Sequence, residues 1–259
     1  MAARALAVWT VVAAAGCGRL AFDPSGDGGT SGDDGSSTSD GSDASGPSCA
    51  GFDVCDGFEG ALGANWTTLS TVSVDTAQAH RGTRSMRFQS PALLTNQSAY
   101  INLIDSTTIG AFTPTTVYMR SWFFLDSLPA AANRMYLIST EPSAGGNGDF
   151  LFAFSNDTDV FSQYENQSQT SGFPFPTDTW FCVVLHIDRS MTAGLLSASS
   201  DVVPTATLSG IATDSSSQPL AIVYFGISFA PINVQNAQPA MNVWMDDVII
   251  HHAPVTCAD

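Results

Sequence analysis

The sequence predicts an all-β fold, a two-sheet antiparallel β-sandwich or jelly roll. Apolar and polar side chains alternate in many short runs after residue 48, and this period of two is typical of strands with one buried face. Clusters of Gly, Pro, Asn, Asp and Ser, such as EPSAGGNGD at 141–149, separate the runs and supply turn chemistry. Because convincing helical periodicity is absent, we expect the strands to cover one another in two layers.

The first residues have the layout of a secretory signal peptide, which we assign to 1–16. A single cation, Arg4, precedes an apolar run that is too short to cross a bilayer, and small residues lead to Cys17. The ending AAAGC resembles the lipobox of bacterial lipoproteins, although Ala14 stands where that family usually has Leu. The resemblance implies that Cys17 is lipidated and, since Gly18 rather than Asp follows it, that the protein is exported and anchored to the outer membrane or cell surface. An ordinary signal peptide with an incidental cysteine is the alternative.

The next segment, 17–48, is predicted to be the lipidated cysteine followed by a disordered linker. Residues 24–48 contain no large apolar residue and no base, so they cannot bury enough surface to offset the entropy of ordering. A flexible tether of this length reaches roughly 25 to 30 Å. We expect it to hold the following domain away from the membrane.

Residues 49–259 are predicted to form one sandwich domain. The whole chain has 8 basic residues against 24 acidic residues, a formal net charge of −16. Nucleic acid and anionic headgroups would be repelled, so neither is an expected partner of this surface. Neutral glycans and cations remain compatible with it.

Four cysteines remain after Cys17, and an even number in an exported protein indicates disulfides. Three pairings are open; we favour Cys49 with Cys55 and Cys182 with Cys257, of which the second would clamp the C-terminal tail onto a central strand. Since no Cys-x-x-Cys pair occurs, the cysteines do not indicate a zinc site.

Ten runs carry the strand pattern of alternation with β-branched and aromatic residues. In chain order they are Ser85–Ser90, Ser98–Asp105, Thr116–Asp126, Asn133–Thr140, Asp149–Asn156, Val160–Asn166, Thr179–Arg189, Ala206–Ile211, Leu220–Ala230 and Met241–His252. At the end of the last run His251 and His252 are expected to point to opposite faces, which would make them a poor metal pair.

Several landmarks in this order resemble the concanavalin A-like jelly rolls, including the laminin G-like group. They are CDGFEG at 55–60, Trp66, AHRGTRSMRF at 79–88, VYMRSWFFLDSLP at 117–129, DTWFCVVLHID at 178–188 and VWMDDVII at 243–250. The resemblance implies that the first and last strands are neighbours, and it supports the fold better than any function.

That neighbourhood would bring Glu59 close to Asp246 and Asp247. Converging carboxylates need a cation, a proton or Arg donors between them, and Ca²⁺ bound by Glu59 and Asp247 would suit them as a structural ion. Adjacent strand residues point to opposite faces, so only one aspartate is expected to join Glu59. The alternative is that Glu59 accepts backbone or arginine hydrogen bonds while both aspartates cap a turn.

The expected ligand surface is a concave sheet face around five side chains: Tyr118, Arg120, Trp122, Gln163 and His186. Aromatic rings there could stack on a sugar, and polar groups could fix its hydroxyls. The alternative is that Tyr118 and Trp122 are core, Arg120 is paired with a carboxylate and His186 is a satisfied strand residue.

Common catalytic motifs are absent from the sequence, including Gly-x-Ser-x-Gly, His-Glu-x-x-His and the phosphate-binding glycine loop. Glu141 and Glu165 each stand alone, whereas a retaining glycosidase needs two carboxylates about 5 Å apart. We therefore favour a glycan-binding or structural module. A polysaccharide lyase on the same face and a purely structural envelope protein are the alternatives.

Overall fold

A computed structural model of the chain describes residues 49–62, 66–105, 115–142, 148–214 and 220–258. These residues contain 15 strands and one short 3-10 helix, Pro231–Asn233. The strands are β1 Val54–Asp56, β2 Trp66–Leu69, β3 Val72–Asp75, β4 Ser85–Ser90, β5 Ala99–Asp105, β6 Thr116–Leu125, β7 Met135–Pro142, β8 Asp149–Ala153, β9 Thr158–Ser162, β10 Gln167–Thr170, β11 Trp180–Asp188, β12 Gly194–Ser200, β13 Ala206–Ile211, β14 Leu220–Phe229 and β15 Met241–His251.

The strands form two antiparallel sheets, as predicted. The eight-stranded sheet has the order β13-β12-β11-β6-β15-β4-β3, and β1 pairs with β15 beyond the end of β4. The seven-stranded sheet has the order β10-β9-β8-β7-β14-β5-β2. The expected neighbourhood of the first and last strands is confirmed by the pairing of Val54 with Ile250.

Alternate side chains of the central strands β11 and β14 fill the space between the two sheets. On β11 the buried inward residues are Phe181, Val183, Leu185 and Ile187, and on β14 they are Val223, Phe225, Ile227 and Phe229. Both strands lie near the middle of their sheets. The core therefore buries the inner face of each sheet. Any ligand site must lie on an outer face of a sheet or at the ends of the sandwich.

Both favoured disulfides are present, Cys49 with Cys55 and Cys182 with Cys257. The second bond joins the outer face of β11 to the tail after β15. A small second apolar cluster forms there, in which Cys182, Val184, Ile249 and Val255 are buried and Phe52 packs against them. Both ends of the domain thus lie on the outer face of the eight-stranded sheet.

The predicted signal peptide at 1–16, the lipidation site Cys17 and the linker at 17–48 lie outside the described residues. In the described part of the chain, no helix has the length and apolar character needed to span a membrane.

Candidate functional site

The outer face of the seven-stranded sheet carries a groove of about 410 Å³. This volume lies in the range of small-ligand sites. The described residues that line it are Leu69, Tyr100, Asn102, Tyr136, Ser139, Glu141, Phe150, Gln163, Tyr224, Ser228 and Ala230. Most of them are outward-facing residues of β5, β7, β8 and β14.

A local irregularity in β7 decides which of its side chains enter the groove. In β7 the pairing with β8 shifts between Tyr136 and Ile138, so Tyr136 and Ser139 both reach the groove although they are three residues apart. Because an extra residue in one strand turns the following side chains to the other face, simple alternation does not predict that both of these residues line the groove.

Aromatic rings form one side of the groove. Tyr136 packs against Phe150 and Phe152, with ring centroids 5.1 and 4.4 Å away, and Phe150 lies 6.0 Å from Phe161. Tyr100 remains 46% exposed on the neighbouring strand β5. Such a set of packed rings with one exposed ring offers flat apolar surface to a ligand.

Polar atoms in the groove are held in fixed positions by one another. Tyr224 donates its phenol hydrogen to Glu141 Oε2 at 3.2 Å, and Ser228 Oγ donates to Asn102 Oδ1 at 2.8 Å. Tyr136 Oη accepts a hydrogen bond of 2.8 Å from Asn233 Nδ2. These groups can exchange hydrogen bonds with hydroxyl groups of a ligand without first being ordered.

The phenols of the groove are neutral at physiological pH. Burial and the charge of Glu141 raise the pKa of Tyr224 to about 12. Burial, and then Glu141, also raise the pKa of Tyr100, and burial raises that of Tyr136. These tyrosines therefore suit hydrogen bonding and stacking, whereas a tyrosine that acts as a base must ionise readily.

The groove contains little charge. Glu141 is the charged side chain among the described lining residues, and the stretches 106–114, 143–147 and 215–219 contain no basic residue in their sequence. Arg134 lies over the rings of Phe152 and Phe154, which are not among the lining residues. An anionic ligand would meet a carboxylate and no cation in this lining.

The five predicted ligand residues are not brought together. Gln163 lines the groove, where its Oε1 accepts a hydrogen bond of 3.3 Å from the backbone of Gly148. Tyr118, Trp122 and His186 lie on the outer face of the other sheet, and Arg120 between them is fully buried. The expectation that all five share one open face is therefore wrong.

Protein already covers the face that holds the other four. The ring of Tyr118 stacks on His186 at 4.1 Å, and Trp122 stacks on His80 at 3.7 Å. His186 Nε2 also lies 3.0 Å from Asp188 Oδ1, and Arg120 Nη2 donates to the carbonyl of Asp247 at 3.1 Å. These contacts match the alternative in which the residues are structural.

Glu59 holds the loop that precedes β4. Its Oε1 accepts hydrogen bonds from the backbone N–H groups of Thr83 and Arg84 at 2.8 and 2.9 Å, and its Oε2 accepts one from Thr83 Oγ1 at 2.9 Å. Gly82, with φ +69°, leaves the space that the carboxylate fills, since a Cβ there would collide with Oε1. The hydrogen bonds from Thr83 and Arg84 outweigh burial and lower the pKa of Glu59.

Both aspartates of β15 face the same loop, which corrects the expectation that they point to opposite faces. The pairing of β15 with β6 shifts between Asp246 and Ile249, and Asp247 has φ +51°, as in a β-bulge. Asp246 Oδ2 accepts from the backbone of His80 at 2.9 Å, while Asp247 Oδ2 lies 2.7 Å from His80 Nδ1. Burial and the neighbouring Asp247 raise the pKa of Asp246 to about 7.

These contacts test the donor set that Ca²⁺ would require at Glu59 and Asp247. Ca²⁺ takes about six to eight oxygen ligands, but both oxygens of Glu59 already accept hydrogen bonds. Among the described residues Glu59, Asp246 and Asp247 do not form a group whose ligand atoms all lie within 4.8 Å. Among the carboxylate oxygens of Glu59, Asp246 and Asp247, Oδ1 of Asp247 is the one that is buried without a hydrogen-bond partner. In this arrangement the residues do not fit Ca²⁺, and loop N–H groups take the place of a cation.

Comparison with solved structures identifies the fold. The cellulose-induced protein Cip1 superposes with a TM-score of 0.58 at 21% identity, covering 79% of this chain and 99% of that protein. An endo-β-1,4-glucuronan lyase from the fungus Trichoderma reesei gives 0.57 at 12% identity over 80% and 93%. The fold is a concanavalin A-like jelly roll.

More distant similarity extends to a toxin domain. The binding domain of botulinum neurotoxin serotype D/C gives a TM-score of 0.51 at 11% identity, covering 75% of this chain and 45% of that one. No protein-family model and no curated protein sequence matches the chain. At these identities the likeness establishes the jelly roll, and the function must be argued from the groove.

Proposed function

We propose that the protein is a surface-anchored lipoprotein whose jelly-roll domain binds a neutral polysaccharide in the groove of the seven-stranded sheet. The observation that carries this proposal is the lining of the groove, in which tyrosines, amides and serines surround a single carboxylate. The carbohydrate-related names of two structural neighbours, Cip1 and the glucuronan lyase, agree with a glycan ligand.

The groove offers both kinds of contact that a sugar chain requires. Tyr100 and Phe150 present ring surface for the apolar faces of sugar rings, and Asn102, Ser228 and Gln163 present hydrogen-bonding groups for hydroxyls. Uronate chains are disfavoured because Glu141 would repel their carboxylates and the lining residues that the structure describes include no cation to neutralise them. The ligand class is therefore a neutral polysaccharide.

Affinity electrophoresis tests this proposal. The protein should be retarded in gels containing a neutral β-glucan or xylan and should migrate normally in gels containing polyuronate. Tyr100→Ala should weaken retardation by about tenfold, equivalent to one lost stacking contact of about 1.4 kcal/mol. Phe173→Ala is the matched control, since Phe173 is 55% exposed and does not line the groove. Equal retardation of the two variants, or none for the wild type across a panel of neutral glycans, would remove the proposal.

The anchoring part of the proposal rests on the sequence. The lipobox-like AAAGC at 13–17 and the linker at 17–48 lie outside the described residues. We expect Cys17→Ser to move the protein from the outer-membrane fraction to the soluble fraction of the cell envelope. A wild-type protein that is soluble and carries no acyl chain by mass spectrometry would contradict this assignment.

A polysaccharide lyase is the second candidate, favoured by one contact. Tyr224 donates a hydrogen bond to Glu141 within the groove, and phenol and carboxylate groups are general acids and bases in such sites. The raised pKa of Tyr224 opposes this function, and so does the lack of a cation among the described lining residues. Incubation with a panel of uronate polysaccharides separates the candidates, because a lyase produces unsaturated products that absorb in the ultraviolet.

The jelly-roll fold allows a structural ion, and Ca²⁺ at Glu59 and Asp247 is the specific expectation that the sequence raises. The hydrogen bonds from Thr83 and Arg84 to Glu59, which we call the clasp of Glu59, support a loop that is held in place without an ion. For protein that has been treated with EDTA and desalted, the melting temperature is therefore expected to be the same with and without excess Ca²⁺. A marked rise on addition of Ca²⁺ would restore the calcium hypothesis.

A further inference from the structure

A second group of ligating side chains lies where the N-terminal segment meets the end of β15. Asp53, His251 and His252 each offer one ligand atom, and these atoms all lie within 4.8 Å of one another. We propose that these three residues bind a divalent transition-metal ion, with Zn²⁺ as the expected species. The site is separate from both the groove and the clasp of Glu59.

The geometry is already close to that of a metal site. The Nδ1 atoms of His251 and His252 both lie 2.6 Å from Asp53 Oδ2. Zinc binds imidazole nitrogen and carboxylate oxygen at about 2.0 to 2.2 Å in tetrahedral geometry, which places ligand atoms about 3.4 Å apart. Each imidazole nitrogen therefore needs to move away from the oxygen by less than about 1 Å to admit an ion. Asp53 and His252 are exposed, so small side-chain rotations suffice.

Backbone pairing explains why these residues meet. Val54 pairs with Ile250 and Cys55 with Ile249 in antiparallel register, so Asp53 comes opposite the end of β15. The Cys49–Cys55 disulfide closes a short loop around Asp53. Phe52 packs edge-on against the ring of His251 at 5.4 Å. The carboxylate and one imidazole are thus positioned before any ion arrives, which lowers the entropy lost on binding.

The chemistry of the ligands selects the type of ion. Two imidazoles with one carboxylate suit Zn²⁺, Cu²⁺ or Ni²⁺, whereas Ca²⁺ and Mg²⁺ prefer oxygen ligands. A cavity of about 300 Å³ beside Asp53, lined also by Phe52, Asp56 and Trp66, has room for water as the remaining ligand.

The expectation that His251 and His252 diverge assumed that strand alternation continues through both residues. In the structure β15 ends at His251, and His252 turns so that its backbone N–H donates to Asp53 Oδ2 at 3.1 Å. Both rings can therefore reach one oxygen. Without metal the same atoms form a hydrogen-bonded contact, so the experiment must distinguish a zinc ligand from a hydrogen-bond donor.

Isothermal titration of the whole chain with ZnCl₂ makes this distinction. The chain carries Cys17→Ser so that no free thiol competes, and it is first treated with EDTA and desalted. We expect one Zn²⁺ per chain for this protein and a loss of at least about tenfold in affinity for His251→Ala and for His252→Ala. His186→Ala is the matched control, because His186 also pairs with an aspartate, at 3.0 Å, but lies outside the group.

A conservative variant separates the two roles of His252. Asn places its amide near the position of Nδ1, so His252→Asn keeps a hydrogen-bond donor for Asp53 but removes a good zinc ligand. It should melt like the wild type in EDTA yet fail to gain thermal stability when Zn²⁺ is added. Zinc binding that is equal in His252→Asn, His186→Ala and the parent chain would overturn the proposal, as would no measurable binding to the parent.

Discussion

Removal of the Cys182–Cys257 disulfide is expected to destabilise the domain far more than removal of Cys49–Cys55. The first bond connects residues 75 positions apart and the second connects residues 6 positions apart. A longer closed loop removes more conformational freedom from the unfolded chain, so the longer bond stabilises the folded state more.

The loop lengths give the magnitude. With a 75-residue loop the entropic stabilisation is about 4.5 kcal/mol at 25 °C, and with a 6-residue loop it is about 2.2 kcal/mol. The difference of about 2 kcal/mol depends only on the ratio of the two lengths. Loss of the longer bond also releases Val255, which is 5% exposed and packs in the cluster over β11.

Urea unfolding of two double variants measures this difference. Cys182→Ala with Cys257→Ala should lower the unfolding free energy by about 4 to 5 kcal/mol, and Cys49→Ala with Cys55→Ala by about 2 kcal/mol. Alanine is used at all four positions because serine would bury a hydroxyl at Cys182, which is fully buried. Equal losses, or a larger loss for the short loop, would refute the argument that the tail is clamped on β11.

Three further predictions concern a close contact at Gly226, the hydrogen-bonded Glu59 and two buried aspartates. Gly226→Ala should lower the unfolding free energy by about 2 to 4 kcal/mol, because φ of Gly226 is +128° and a Cβ there would collide with the ring of Phe88. An unchanged free energy in urea unfolding would contradict this close contact between Gly226 and Phe88. Glu59→Ala should lower the unfolding free energy by about 1 to 3 kcal/mol, since the backbone N–H groups of Thr83 and Arg84 lose their acceptor. An unchanged melting temperature would show that the hydrogen bonds of Glu59 do not stabilise the fold. Burial raises the pKa of Asp149 to about 7 and that of Asp159 to about 6. Between about pH 4 and pH 7 these two carboxyl groups therefore hold protons in the folded state that they have released in the unfolded state. The free energy of unfolding should consequently fall as the pH rises through this range. Urea unfolding at pH 5 and pH 8 checks this sign, and greater stability at pH 8 would be the wrong outcome.

The strand pattern predicted most of the architecture because alternation reports directly on which residues the core buries. The runs Ser85–Ser90 and Ala206–Ile211 match β4 and β13 residue for residue. The prediction failed where a strand contains few large apolar residues. All four residues of β10, Gln167–Thr170, are exposed, and β12, Gly194–Ser200, is rich in small and polar residues. Such strands are specified by their partners, β9 and β11, rather than by their own hydrophobicity.

The groove and the loop contacts of Asp246 and Asp247 were harder to predict because each depends on an irregularity that leaves no alternating signal. Irregular pairing in β7 brings Tyr136 and Ser139 to one face, and the bulge at Asp247 turns both aspartates toward one loop. A single extra residue reverses the facing of all residues beyond it. From one sequence, the position of such an extra residue is not readable from composition or spacing.

One part of the site could have been excluded from the sequence alone. On β11 the residues Cys182, Val184 and His186 are two apart, so they share a face, and in the structure they pair with Trp122, Arg120 and Tyr118 of β6. A disulfide from Cys182 to the C-terminal tail obliges that tail to cross the same face. The predicted bond and a glycan surface around His186 therefore exclude each other, and the bond is the one that the structure contains. Since Phe52 and the tail at Val255 and Cys257 cover part of the outer face of the eight-stranded sheet, we place the proposed glycan site on the outer face of the seven-stranded sheet.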